Sequence, residues 1–140
     1  MSAVTSRSFH LPVRVYWEDT DGGGVVYYAN YLRFMERARS EWLRSLGIDQ
    51  AALARVERIQ FAVVEAQLRY RLPARYDDLL DVSAAVSGWK GASVAFQQDV
   101  RRAADGELLA AATIRAACLD SDSLKPRPLP PALLKELKGE

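Results

Sequence analysis

A single cysteine and a single histidine serve all 140 residues. One cysteine excludes an intrachain disulfide. Cys118, set in the apolar run AAATIRAACL, reads as a small buried hydrophobe in a strand rather than a reactive thiol. His10 and Cys118 are far apart in the chain, so neither a metal centre nor a Cys–His nucleophile pair is expected. With its only histidine near the amino terminus, the chain is not expected to hold a Ser–His–Asp set. Acyl chemistry would then have to use a carboxylate and backbone dipoles. Net charge is lacking too: 19 Lys and Arg against 18 Asp and Glu leave +1, which excludes bulk attraction to nucleic acid or another polyanion. No apolar run approaches the roughly 18 residues of a membrane span, and MSAVTSRS lacks an apolar signal core. The expectation is a soluble, cytoplasmic protein. With no repeat and no second compositional regime, residues 1–140 read as one domain.

What the chain does have is concentrated in EDTDGGGVVYYANYLRFMERARSEWLRSL, Glu18 to Leu46. Val13, Val15 and Trp17 alternate with Arg14, Tyr16 and Glu18, which predicts a strand over residues 9–18 with Pro12 near its start or at a sheet edge. Three glycines after Asp21 permit positive φ and close approach of a ligand or another backbone. A helix is predicted from Ala29 or Asn30, with Asn30 as N-cap, to Leu46, closed by Gly47. Tyr31, Phe34, Met35, Ala38, Trp42 and Leu46 recur at its period and form its core face. A short helix is predicted around Asp49–Val56. Strands follow at 61–72, 81–89, 92–101 and 108–119, with turns at Gly88–Gly91 and Ala104–Gly106, in mostly consecutive hairpins. SDSLKPRPLPP reads as loop and LLKEL as a last short helix. The fold class is α+β, an antiparallel sheet of about five strands wrapped on one long central helix. Exposed sheet edges favour pairing of subunits.

Glu18, Asp19 and Asp21 cluster ahead of that helix. Asp19 reads as a turn or cap residue. Asp21 directly precedes Gly22–Gly24 and lies near the helix amino end, where free N–H groups and the positive dipole end can bind an oxyanion or polarise a carbonyl. A carboxylate facing such donors can act as nucleophile or as general base for water. Lys90 in GWKG, and Lys125 and Arg127 in KPRP, are candidate phosphate ligands as exposed cations beside glycine or proline, or else solvated surface charges. Ser93 could bind substrate or stabilise its turn.

The segment VRVYWEDTDGGGVVYYANYLRFMERARSEWLR, with PARYDDLL at 73–80, WKGAS at 89–93 and KPRPLP at 125–130, resembles the hotdog-fold acyl-CoA thioesterases of the 4-hydroxybenzoyl-CoA thioesterase class. It is most similar to their Tol–Pal-associated, YbgC-like branch. The pattern D-x-x-G-x-V-x-Y-x-x-Y is met by Asp21, Gly24, Val26, Tyr28 and Tyr31. The resemblance implies a thioester hydrolase releasing a carboxylic acid and coenzyme A. Asp21 would be the catalytic carboxylate and the Tyr28 backbone N–H the donor to the carbonyl oxygen. Gly24, Tyr27 and Tyr31 would lie against the substrate, with Lys90, Ser93, Lys125 and Arg127 toward coenzyme A. No cofactor is implied, since coenzyme A belongs to the substrate. Also implied are a homo-oligomer, dimer or tetramer, with sites at subunit interfaces, and a possible link to acyl carrier protein or the Tol–Pal system. The branch usually carries His where this chain has Tyr28. That departure leaves a second reading, a hotdog module that binds acyl-CoA or acyl carrier protein without hydrolysis. A hydratase of the same fold generally pairs Asp with His, and this chain offers no second histidine.

Overall fold

The computed structural model describes residues 7–139. Most of MSAVTSRS, the stretch read for a signal core, lies outside them. The sheet has five antiparallel strands in the order β1-β3-β4-β5-β2: β1 (Ser8–Arg14), β2 (Ile59–Tyr70), β3 (Leu79–Lys90), β4 (Ser93–Arg102) and β5 (Leu108–Asp120). The consecutive-hairpin expectation holds for β3-β4-β5 only. β2 pairs with β5 and β1 with β3, so the chain crosses over β5 and β4 between β2 and β3. The two edge strands are therefore β1, which carries Pro12, and β2.

The helix α1 runs Asn30–Ser45 and lies on one face of the sheet. Tyr31, Phe34, Met35, Ala38 and Trp42 are buried as their spacing predicts, while Leu46 is only half-buried. They meet the inward positions of the strands: Leu80, Val82, Ala84 and Val86 of β3, Val94, Phe96 and Val100 of β4, and Ala112, Ile114 and Ala116 of β5. Full burial of each large apolar side chain contributes roughly 1.5–3 kcal/mol. Gly47, at φ +80°, ends α1: its N–H donates to Arg44 O at 3.0 Å and the Ile48 N–H to Leu43 O at 2.9 Å, the paired bonds of a left-handed helix stop.

Three local expectations differ. β1 stops at Arg14, and Trp17 sits in a 3-10 turn, Trp17–Asp19, more than half exposed. The Asp19 carboxylate accepts from the Tyr16 N–H at 2.8 Å, and this local bond replaces strand pairing. Asn30 does not cap α1. It is the first helical residue, buried, and its side-chain amide donates to Asp19 Oδ1 at 2.9 Å. Gly88 lies inside β3 beside a bulge, so the β3–β4 turn narrows to Gly91–Ala92.

The short helix α2 (Gln50–Ala52) is capped by Asp49 and runs on as a wider turn through Glu57. The last helix, α3 (Pro131–Lys138), seats Leu133 and Leu137 against the far end of the core. No described helix is long and apolar enough to cross a membrane.

Candidate active site

A seven-residue hairpin carries Asp21. Thr20 bridges Val26, and the Asp21 N–H donates to Val25 O at 3.0 Å. Its tip needs glycine for conformation rather than space: Gly22 and Gly24 both sit at φ +89°, yet a Cβ on either would meet nothing within 4 Å. The second limb is tied to the segment before β3 by the Val26 N–H to Ala74 O, 2.8 Å, and the Tyr76 N–H to Gly24 O, 2.8 Å. Asp21 is exposed, and its Oδ1 accepts from the Gly23 N–H at 2.8 Å. That bond fixes one carboxylate oxygen and leaves the other to solvent or substrate.

Asp19 joins this hairpin to α1. Its two carboxylate oxygens hold the Tyr16 N–H and the Asn30 side chain, and its carbonyl accepts from the Tyr27 N–H at 2.9 Å. The turn-and-cap reading of Asp19 therefore holds, in a buried form. The chain then passes Tyr28, two residues before α1. Among the described residues nothing accepts from the Tyr28 N–H, whereas the Tyr28 carbonyl accepts from the Tyr70 hydroxyl at 2.7 Å. A free donor thus lies at the positive end of a 16-residue helix, next to a hairpin that presents a carboxylate.

Aromatic rings surround that entrance. Tyr27 and Tyr28 are 4.9 Å apart, Tyr28 and Tyr70 6.4 Å, Tyr31 and Tyr70 5.3 Å between centroids. Tyr27 and Tyr28 are exposed and available to a ligand. Tyr31 is 3% exposed, and its hydroxyl accepts from the Ala74 N–H at 3.0 Å, so within one chain it supports the site from below. A hydrogen bond with Tyr28 pushes the Tyr27 phenol up from its usual value. Burial does the same to Tyr31 and Tyr70. At neutral pH these phenols hold their protons, so they can donate but not act as bases.

The cationic candidates gather elsewhere. Lys90 ends β3 and is exposed; Ser93 Oγ donates to Lys90 O at 3.1 Å, which ties that hydroxyl to its own turn. Lys125 is exposed. Arg127 Nη1 donates to Glu57 O and Arg58 O at 3.1 and 3.2 Å, bracing the entry to β2. The Leu129 N–H reaches Gly91 O at 3.3 Å and Leu119 bridges Pro126, so the Lys90 turn and the KPRP segment share one end of the sheet. The Asp21 hairpin is anchored at the other end, just before β3 begins. The 12 residues of β3 span about 35 Å at ordinary strand rise, longer than an extended pantetheine arm.

Near the cationic end lies a cleft that inspection of the sequence did not anticipate. It has a volume of ≈ 180 Å³ and lies open to solvent between α1, the start of β2 and α3, walled by Leu43, Phe61, Val94, Phe96, Leu133 and Leu137. Its lining comes from six elements, so no single stretch announces it.

Another arrangement corrects an expectation. His10 does stand between a serine and an aspartate: Ser8 Oγ is 3.3 Å from Nε2, and both Asp81 oxygens are 3.0 Å from Nδ1. Strand alternation puts Ser8 and His10 on one face of β1, with Asp81 diagonal on β3. The set lies open to water on the outer edge strand. Among the described residues no group of three or more His, Cys, Asp and Glu could hold a metal. Cys118 is buried, and burial pushes its thiol up, which keeps it unreactive.

Comparison with known proteins decides the family. Residues 15–137 match the thioesterase-like superfamily. The chain belongs to that superfamily. It is 45% identical over 136 residues to the acyl-CoA thioesterase YbgC of Haemophilus influenzae, covering 97% of this chain and 96% of that one. It is 43% identical over 135 residues to the acyl-CoA thioester hydrolase YbgC of Escherichia coli O6:H1, covering 96% and 99%. Among solved structures, Slr0204, a 1,4-dihydroxy-2-naphthoyl-CoA thioesterase from Synechocystis, superposes with a TM-score of 0.87 at 26% identity, over 94% of this chain and 96% of its own. The sheet wrapped on α1 is thus the hotdog fold of this superfamily.

Proposed function

We propose that this thioesterase-like protein hydrolyses acyl-CoA to a free acid and coenzyme A. The observation that carries this reading is the free Tyr28 N–H at the entrance to α1, beside the hairpin that presents Asp21. A thioester carbonyl seated there polarises against that donor. Asp21 either attacks the carbonyl carbon, leaving an acyl–aspartyl anhydride that a water then hydrolyses to regenerate the carboxylate, or takes a proton from water as the water oxygen attacks. As the C–S bond breaks, the sulfur leaves with a proton and the acid is released. The two YbgC relatives, similar over nearly the whole chain, support the substrate class. The cytoplasm, where acyl-CoA is made and used, is the compartment this reading assigns.

One chain alone separates the parts such a site needs. β2 supplies the means to reunite them. It is an unpaired edge, and residues 63–67 are exposed on both faces, although α1 covers the same sheet elsewhere. Antiparallel pairing of β2 with a second copy about its midpoint sets Tyr70 against Ile59 of the partner subunit. The Asp21 and Tyr28 end of one protomer then borders the cleft and the cations Lys90, Lys125 and Arg127 of the other. A dimer with two shared sites results, and the phosphates of coenzyme A or of an acyl carrier protein arm meet the cationic end.

Replacing Asp21 by Asn tests the assignment on purified protein with acyl-CoA of several lengths. Coenzyme A release should fall by at least about two orders of magnitude, the usual contribution of a general base or nucleophile. Undiminished turnover rejects the role. Tyr28 in place of the branch's histidine favours the alternative, a binding module. Tight acyl-CoA binding without release of coenzyme A from any chain would establish that instead.

A further inference from the structure

Four polar side chains line the cleft, Glu36, Arg39, Ser40 and Gln50; the Gln50 amide donates to Ser40 Oγ at 3.3 Å, and Arg39 is the cation among them. Arg39 enters it from α1, half-buried among the leucines and phenylalanines. Its Nη1 donates to Gln98 Oε1 at 2.8 Å. Gln98 is completely buried on β4, and its Nε2 donates to Met35 O at 3.0 Å and Ser83 O at 3.3 Å, so the acceptor is fixed. That acceptor is neutral. Among the described residues no carboxylate comes within ion-pair distance of Arg39. Glu36, one turn earlier, also lines the cleft but is exposed and outside that reach. Burial pulls the Arg39 guanidinium down from its usual range, opposed by the Glu36 charge.

A guanidinium has five N–H donors in a planar fork, and Gln98 engages one nitrogen. The others are not sealed in, since Ser121 Oγ is the only buried polar side-chain atom without a partner among the described residues. They open on the cleft. A methyl-ended chain filling this space would strip water from those donors and return nothing. A carboxylate would meet two of them at once and neutralise the charge in low-dielectric surroundings. Lysine in this position could not offer the same fork.

We propose that Arg39 is a specificity residue of the acyl cleft and selects acyl groups whose far end is a carboxylate, the mono-thioesters of dicarboxylic acids. This rests on the thioesterase reading and on its shared site: the thioester lies at Asp21 and Tyr28 of the partner subunit, and the tail runs past Val63 and Phe61 to Arg39. The product is then a free dicarboxylic acid.

Matched pairs of substrates test it: adipoyl-CoA against hexanoyl-CoA, and suberoyl-CoA against octanoyl-CoA. The wild-type protein should favour the carboxylate-ended member of a pair by at least tenfold in kcat/KM. Arg39→Met should lower that ratio at least tenfold, and Arg39→Lys, which keeps charge without the fork, should fall between. A wild-type preference for the methyl-ended chain at both lengths overturns the proposal, as does an Arg39→Met ratio equal to wild type. Should Arg39→Met fail to fold for want of the Gln98 bond, the Arg39→Lys ratio carries the test. A separate measurement isolates the proposal from the thioesterase reading: the melting temperature of wild-type protein with adipate or hexanoate. If no acyl-CoA is hydrolysed, the thioesterase reading fails, but a rise with adipate and none with hexanoate still supports Arg39. No rise with either overturns it.

Discussion

At the scale of single residues, two aspartates two positions apart do opposite work. Asp19 is buried and its hydrogen-bonding capacity is used on the Tyr16 N–H and the Asn30 amide. Asp21 is exposed and gives up one oxygen to the Gly23 N–H. Asp19→Ala would leave a buried amide and a backbone N–H without acceptors, at about 1–3 kcal/mol each. A melt followed by circular dichroism should show a clear drop in Tm. Activity should fall as well, because the start of α1 just after Tyr28 loses its side-chain tie from Asn30 to Asp19, leaving only the Tyr27 N–H to the Asp19 carbonyl. Asp21→Asn should leave the melt nearly unchanged while abolishing turnover, so the two variants separate scaffold from chemistry. The sequence showed this division in part. Asx residues before glycines mark a turn, and the position of Asp21 ahead of the helix marked it out. The Asn30 side chain was misread as a cap, because its true partner, Asp19, lies eleven positions back and only the folded hairpin brings it near. The Ser8, His10 and Asp81 set escaped notice for the same reason: its aspartate is contributed by β3 through a register no local pattern reveals.

At the scale of elements, α1 was the most legible part of the chain. Its apolar residues follow a 3.6-residue period over four turns, and its stop needs the one residue, Gly47, that tolerates positive φ without strain. The strands were found too, but not their order. Alternation tells which residues face the core and nothing about neighbours, so the β2-to-β3 crossover could not be seen. That crossover makes β2 an edge. A 12-residue edge with Val63 and Val64 each about half exposed would invite uncontrolled association unless a specific partner covers it. Val64→Glu tests this. Val64 sits at the bulge between Val63 and Glu65, near the middle of the strand, where self-pairing would set two like charges close together. Sedimentation should show the mass fall from a multiple of 15.6 kDa toward that of one chain. Turnover should fall at least tenfold at low protein concentration and recover as concentration rises, by mass action. An unchanged mass with unchanged activity would show that β2 is not the interface.

At the scale of the whole molecule, the arrangement sets the Asp21 carboxylate and the cations Lys90, Lys125 and Arg127, the candidate phosphate ligands, at opposite ends of the sheet. Nothing in the sequence separates them, because Asp21, Lys90 and Lys125 are simply three positions along a line. The distance arises from the direction in which β3 runs, and it turns a list of candidate ligands into a statement about two chains. Such a statement can be checked by complementation. One variant, Asp21→Asn, disables the carboxylate end. A second, Ala62→Trp, fills the cleft at the start of β2 with an indole, since Ala62 lines it and is half-buried. If each site takes Asp21 from one protomer and the cleft from the other, a mixed dimer holds one site with both defects and one with neither. Random reassortment of the two inactive variants should then restore about a quarter of wild-type activity, half the dimers being mixed and half their sites intact. If a single chain held the whole site, every site in the mixture would carry one defect and no activity would return. The two outcomes differ by the full height of the assay, and neither depends on which acyl group the enzyme prefers.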